Sequence, residues 1–91
     1  MSVSRMAILA IVAEADRAQA RYGPFTSTHE ALGVLVEEVD ELKQAIRANK
    51  MGSVSMEAKQ VAAVSARLYQ HALRALDGEA DGFMDRSGCK T

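Results

Sequence analysis

Three glutamates near the middle of the chain could bind a metal ion. Glu37, Glu38 and Glu41 fall within one short segment, and on a helix with about 100° per residue they share an arc of about 100°. Clustered carboxylates suit a hard cation such as Mg²⁺, which binds oxygen ligands and neutralises phosphate charge. An acidic stripe opposite an apolar stripe is also typical of any solvated amphipathic helix. Both interpretations stay open on this segment alone.

A fourth glutamate, Glu57, is predicted on the apolar side of the following helix. It shares a helical face with Val61 and Val64, whereas Lys59 and Arg67 are predicted to face outward. A carboxylate without a partner on a buried face is costly, so Glu57 would need a cation, a hydrogen-bond donor or a metal. Alternatively, its place in the first helical turn lets the helix dipole and free amides stabilise it.

The sequence predicts helices that position these carboxylates. Helix 1 covers Ser4 to Arg21 and is ended by Gly23-Pro24, because glycine suits a left-handed cap and proline cannot continue the helix. Helix 2 begins at Ser27-Thr28-His29-Glu30, a capping box. In such a box the serine hydroxyl accepts from the glutamate amide, and the glutamate carboxylate accepts from the serine amide.

Helix 2 is expected to end at about Asn49, since asparagine tolerates the conformation that terminates helices. Helix 3 is then capped by Ser53 or Ser55 and closed by Asp77-Gly78. Both helices carry an apolar stripe with helical spacing. The stripe residues are Leu32, Leu35, Val39, Leu42 and Ile46 on helix 2, and Val61, Val64, Leu68, Ala72 and Ala75 on helix 3.

The composition predicts a fold that is incomplete in a single copy. Of 91 residues 48% are hydrophobic, but only two Phe, two Tyr and no Trp are present, so large side chains that fill a core are scarce. We expect an all-α fold in which three main helices form an antiparallel bundle, completed by oligomerisation as a homodimer or homotetramer. Residues 1–78 would form the domain and residues 79–91 a loosely ordered tail.

Net charge and cysteine content indicate which partners and which cellular compartment to expect. The formal net charge is −1, which does not favour a nucleic-acid partner. The apolar run from Met6 to Ala13 is too short to span a bilayer, so no membrane partner is expected. The single Cys89 cannot form an internal disulfide, and the lack of a cysteine framework fits a reducing compartment. We therefore predict a cytoplasmic protein.

The acidic segments resemble a known family. Glu37-Glu38-x-x-Glu41, followed after fifteen residues by Glu57-x-x-Gln60, is similar to the EExxE and ExxD motifs of the MazG-like, all-α nucleoside triphosphate pyrophosphohydrolases. The resemblance extends from helix 1 to the end of helix 3. Other segments that resemble small phage and bacterial members are His29-Glu30-Ala31, Gly33-Val34-Leu35 and Gln60-Val61-Ala62-Ala63.

The resemblance implies an activity and a set of site residues. In that family, carboxylates from two neighbouring helices hold Mg²⁺, which bridges a triphosphate while an activated water attacks and pyrophosphate leaves. The implied substrate is a nucleoside or deoxynucleoside triphosphate, and Mn²⁺ is a second candidate metal. The implied metal ligands are Glu37, Glu38, Glu41, Glu57 and Gln60, with Glu38 and Glu41 as the catalytic residues.

One position departs from the family pattern. Gln60 stands where the family has Asp, and an amide offers a neutral oxygen but no charge. An alternative function is therefore a non-catalytic helical scaffold or binding module that retains the family fold with a degenerate metal site. A helical adaptor unrelated to the family is a third interpretation, favoured only by the alanine-rich faces.

Overall fold

A computed structural model describes residues 2–82 of the chain, with side chains up to residue 78. Three α-helices follow one another in this part: α1 (Arg5–Tyr22), α2 (Thr28–Arg47) and α3 (Met51–Gly82). Residues 2–82 contain no β-strand, so the predicted all-α class is confirmed for the described part.

Helix α1 ends at Gly23 as predicted, whereas Ser4, predicted as the first helical residue, caps its start. The Ser4 hydroxyl accepts a hydrogen bond from the Ala7 amide at 3.0 Å. At the other end Gly23 has a φ of +78°, a region that residues with a Cβ rarely adopt. Its amide donates to the Gln19 carbonyl at 2.8 Å. The chain therefore leaves α1 at the glycine, one residue after Tyr22.

The start of α2 differs in one detail from a capping box. The Ser27 hydroxyl accepts from the Glu30 amide at 3.0 Å, as predicted. The Glu30 carboxylate, however, accepts from the Thr26 amide at 2.7 Å and from the Thr26 hydroxyl at 2.9 Å. The predicted hydrogen bond from the Ser27 amide to Glu30 is therefore wrong, because two donors of Thr26 bond one oxygen of that carboxylate instead.

The turn between α2 and α3 is tighter than predicted. Asn49 has a φ of +58°, which asparagine tolerates. The Lys50 carbonyl already accepts from the Val54 amide at 2.9 Å. The predicted capping by Ser53 or Ser55 is therefore wrong, because both residues lie inside α3. The Ser55 hydroxyl instead donates to the Gly52 carbonyl at 3.3 Å.

The far end of α3 also differs from the prediction. The helix continues through Gly78 to Gly82 instead of closing at Asp77-Gly78. An internal glycine costs a helix about 1 kcal/mol relative to alanine, which good helix formers on either side can offset. Residues 83–91, the remainder of the predicted tail, lie outside the described residues.

Helix α3 is the centre of the described fold. Both α1 and α2 pack against α3, and they make no close contact with each other. The apolar core on the α2 side contains the buried residues Phe25, Ala31 and Val64. Half-buried Val34, Leu35 and Leu68 pack against them. Because two helices cover it, α3 buries more than one face.

Only part of the predicted stripe of α2 faces α3. Leu35 and Leu42 are half-buried, but Leu32, Val39 and Ile46 are exposed, and the buried residues of the helix are Ala31 and Ala45. The face toward α3 is therefore rotated by about 80° from the centre of the predicted stripe. Alanines allow two helix backbones to approach closely, whereas the larger side chains of the stripe are left on the outside. We call this surface, formed by Leu32, Val36, Val39 and Ile46, the outer apolar face.

Large apolar side chains are also exposed on α1. Met6, Leu9 and Val12 are 75%, 54% and 47% exposed, although their helical spacing predicts an apolar stripe. None of the helices within residues 2–82 is long and apolar enough to cross a membrane. Both helices that flank α3 thus keep apolar surface that the described part of the chain does not cover.

Candidate metal centre

A groove runs between α1 and α2, with α3 at its base. Its volume is about 570 Å³, and side chains from all three helices line it. This volume lies in the range of about 300–1,000 Å³ that is usual for small-molecule sites. The charged and amide side chains that line this central groove are Arg17, Glu30, Glu38, Glu41, Glu57, Gln60 and Arg67.

Three carboxylates converge in the central groove. One oxygen from each of Glu38, Glu41 and Glu57 lies within 4.8 Å of the other two. Ligand oxygens around Mg²⁺, each about 2.1 Å from the ion, are roughly 3 to 4.2 Å apart. Small side-chain rotations would therefore bring these three residues, the glutamate cluster, to coordinating distance of one ion.

Glu38 has the environment of a metal ligand. Its Oε1 atom is buried and has no hydrogen-bond partner among the described residues. Burial raises the pKa of this carboxyl, repulsion from the Glu41 and Glu57 carboxylates raises it further, and the protonated form can share its proton with Glu57. A bound cation would give Oε1 a partner and offset the repulsion. The residues present thus fit a divalent ion.

The rotation of α2 places Glu38 in the groove. The predicted apolar stripe puts Glu38 on an outward acidic face, but in the structure it shares the inward side with Ala31 and Ala45. Glu41 follows one turn later on the same helix. Glu57 lies near the start of α3 and is half-buried, which agrees with its predicted inward direction. Two helices therefore supply the cluster.

Two further residues implied as ligands are placed differently. Glu37 is exposed and lies outside the glutamate cluster. Gln60 lines the central groove, but its Nε2 donates to Glu14 Oε2 at 2.9 Å. Because this bond uses the amide nitrogen, Oε1 is the atom of Gln60 that can accept from a donor or bind a cation.

Glu14 is a buried site residue that sequence reasoning missed. Its side chain is 9% exposed, and it also forms an ion pair with Arg17. The Gln60 hydrogen bond is the largest cause of a lowered pKa of the Glu14 carboxyl, and Arg17 adds to it. The available signal was a glutamate at the end of an apolar run with an arginine three residues later.

Arg67 was predicted to face outward, and this is wrong. It is 8% exposed, and its guanidinium lies over the Phe25 ring with 4.1 Å to the ring centre. Its Nε donates to Gln19 Oε1 at 2.8 Å, and an Nη donates to the Gly23 carbonyl at 3.2 Å. Periodicity failed here because it assumes one buried stripe, whereas α3 is covered on two sides.

Comparison with known proteins assigns no family or function to this chain. A scan against protein-family models, a search of curated proteins and a search of solved structures found no match to this chain. Support for an activity therefore comes from the groove and from the motif spacing.

Proposed function

We propose that the chain is a Mg²⁺-dependent, MazG-like nucleoside triphosphate pyrophosphohydrolase, which converts an NTP or dNTP to the monophosphate and pyrophosphate. The observation that carries the proposal is the glutamate cluster in the central groove, with the unpartnered, buried Oε1 of Glu38. Buried polar atoms without partners are rare in folded proteins. A bound cation would give this oxygen a partner and would offset the charges of the two neighbouring carboxylates.

The metal would be held by the glutamate cluster, with the Oε1 atom of Gln60 as a neutral oxygen ligand. When bound, Mg²⁺ supplies positive charge that offsets the charge on the phosphate oxygens. Mn²⁺ binds similar ligands and is expected to substitute. Glu37 lies outside the glutamate cluster, so we assign no ligand bond to it.

Glu38 and Glu41 are the proposed catalytic residues. The water oxygen forms a bond to the α-phosphorus while the bond from that phosphorus to the bridging oxygen breaks, and pyrophosphate leaves with that oxygen. Glu38 accepts the proton released by the water at its other carboxylate oxygen, Oε2, while Oε1 holds the metal. Burial, the largest cause, raises the pKa of Glu38, and a higher pKa makes a carboxylate a better general base near neutral pH. Glu41 orients the water and holds the metal.

The test is metal-dependent release of pyrophosphate from a panel of nucleoside and deoxynucleoside triphosphates. Glu38→Gln should lower the rate by about 100-fold or more, as loss of a general base does. Asp40→Asn is the matched control, because Asp40 is an exposed carboxylate on the same helix that bonds Gln44 and does not line the groove. No release from any nucleotide by the wild type would contradict the proposal.

A second candidate function is a helical scaffold or binding module without catalysis. Gln60 favours it, because the family has Asp there and the Gln60 amide is already bonded to Glu14. The scaffold would bind Mg²⁺ weakly or not at all, and nucleotides would neither be hydrolysed nor change its stability. Equal responses of the wild type and Glu38→Gln to Mg²⁺ would favour this function over the enzymatic one.

Self-association as a homodimer or homotetramer is part of the proposal. The outer apolar face of α2 and the exposed side chains of α1 support it, since contiguous exposed apolar surface marks interaction sites. Val36→Asp, in the centre of that face, should lower the mass seen by light scattering without loss of helical content. A cooperatively folded wild-type monomer at micromolar concentration would contradict it.

An antiparallel bundle and a cytoplasmic location also stay proposals. A connection of three residues between α2 and α3 supports antiparallel packing of these two helices. The net charge of −1 supports a small-molecule substrate over nucleic acid.

A further inference from the structure

Arg67 is a buried cation that has no carboxylate partner among the described side chains. It is 8% exposed, and no described acidic side chain lies within ion-pairing distance of it. Removing a charge from water is costly unless an opposite charge or several hydrogen bonds compensate. The environment of Arg67 compensates only in part, which suggests that an anion completes it.

The hydrogen bonds of Arg67 leave donors free. A guanidinium has five N–H donors, and the bonds to Gln19 and Gly23 use two of them. Phe25 packs against one face of the group. These three contacts hold the guanidinium in one orientation, and Arg67 lines the central groove. The group is therefore fixed in place with further donors beside the groove.

The carboxylates of Glu30 and Glu14 each bond other groups through one oxygen. Glu30 also lines the groove, but its carboxylate accepts both hydrogen bonds from Thr26. Those bonds are the main cause of the lowered pKa of Glu30, and the charge of Arg67 is a lesser one. Glu14 is bonded to Arg17 and Gln60. An internal counter-ion in direct contact with Arg67 is thus absent from the described side chains.

We propose that Arg67 binds phosphate oxygens of the ligand in the central groove, so that the ligand lies between the glutamate cluster and this arginine. Glu57 and Arg67 are ten residues apart on α3, about 15 Å along the helix axis. Helical side chains lean toward the N-terminus, which directs Arg67 back toward Glu57. The planar guanidinium suits two-point contact with phosphate.

This inference rests on the proposed function, because the same groove holds the proposed metal site. The probe is inorganic tripolyphosphate with Mg²⁺, titrated by calorimetry into the wild type, Arg67→Gln and Arg74→Gln. Arg74 is an exposed arginine on the same helix that does not line the groove. We expect about 10- to 100-fold weaker binding for Arg67→Gln and no change for Arg74→Gln. Equal affinities in all three proteins would overturn the proposal.

A second measurement covers the case in which Arg67→Gln does not fold. The Nε–H resonance of Arg67 in the ¹⁵N-labelled wild type should shift as tripolyphosphate is added, and an unchanged resonance at saturation would overturn the proposal. A folded Arg67→Gln protein that loses affinity for nucleoside triphosphates but keeps it for tripolyphosphate would also overturn it, since Arg67 would then contact the base or sugar.

A separate measurement tests whether the glutamate cluster binds a metal ion. Mn²⁺ binding without any phosphate, followed by electron paramagnetic resonance, should be equal in the wild type and Arg67→Gln and lost in Glu38→Gln. If the wild type binds no Mn²⁺, the proposed function fails. The role of Arg67 is then still decided by tripolyphosphate binding to wild type and variant in metal-free buffer.

Discussion

The two sides of α3 differ in whether their buried polar groups have hydrogen-bond partners. On the α1 side each buried polar group has partners within the chain: Glu14 bonds Gln60 and Arg17, and Arg67 bonds Gln19. On the α2 side an apolar core lies beside the glutamate cluster, in which Glu38 Oε1 has no partner among the described residues. Paired polar groups stabilise a fold, whereas unpaired ones reduce stability. The difference points to metal binding on the α2 side.

The largest expected effect comes from placing a charge in the core on the α2 side. Val64 is 4% exposed, so Val64→Asp would bury an unpaired carboxylate and lower the free energy of unfolding by about 3–5 kcal/mol. Ser65→Asp, at the adjacent exposed position of α3, is the control and should change it little. Urea denaturation measures both. A stable Val64→Asp protein would mean that this side is not a core.

The next largest effect is expected from a variant that introduces a carboxylate without a partner on the α1 side. Gln60→Asp removes the bond to Glu14 and puts a second carboxylate near it, so the free energy of unfolding should fall by about 1–3 kcal/mol. The double variant Glu14→Gln with Gln60→Asp removes this repulsion and restores the family's acidic residue. It should recover stability and bind Mg²⁺ more tightly than the wild type by calorimetry. Equal stability of the single variant and wild type would show that the Glu14 bond contributes nothing.

Neutralising one carboxylate of the glutamate cluster should have a smaller effect of opposite sign. Glu38→Gln removes a half-buried charge and its repulsion with Glu41 and Glu57, so the metal-free protein should melt a few degrees higher. Mg²⁺ should raise the melting temperature of the wild type but not of this variant. Asp40→Asn should behave like wild type. If Glu38→Gln gains as much from Mg²⁺ as wild type, the cluster is a solvated acidic face.

The smallest expected effect is on the pH dependence of stability without metal. The folded-state pKa of Glu38 is raised above its ordinary value of 4.5, so its contribution is present below that value and is lost as pH rises through the folded pKa. The pKa of Glu14 is lowered, so its contribution is present above the ordinary value and is lost as pH falls through the folded pKa.

Urea denaturation across the pH range distinguishes the contribution of Glu38 from that of Glu14. Glu38→Gln should lack the decrease on the alkaline side of the ordinary carboxyl pKa, and Glu14→Gln should lack the decrease on the acidic side. A Glu38→Gln protein with the same alkaline-side decrease as the wild type would place the cause of that decrease elsewhere in the molecule.

The sequence by itself determined the helices and most of their ends. Ser4, Ser27, Gly23 and Asn49 act at the helix ends through bonds and backbone angles that involve only nearby residues. Such signals are readable from sequence because no distant part of the chain decides them. The spacing of the four glutamates likewise indicated the residues of the cluster, except that Glu37 lies outside it.

Only the tertiary structure decided which helical faces are buried. The stripe predicted from apolar periodicity on α2 is centred on another side of the helix, yet α3 packs on the side of Ala31 and Ala45. This choice turned Glu38 into the groove, while packing of α1 on the other side of α3 buried Glu14 and Arg67. Burial depends on contacts between helices far apart in sequence, and a single-helix pattern contains no information on how many neighbours a helix has or which side each one covers.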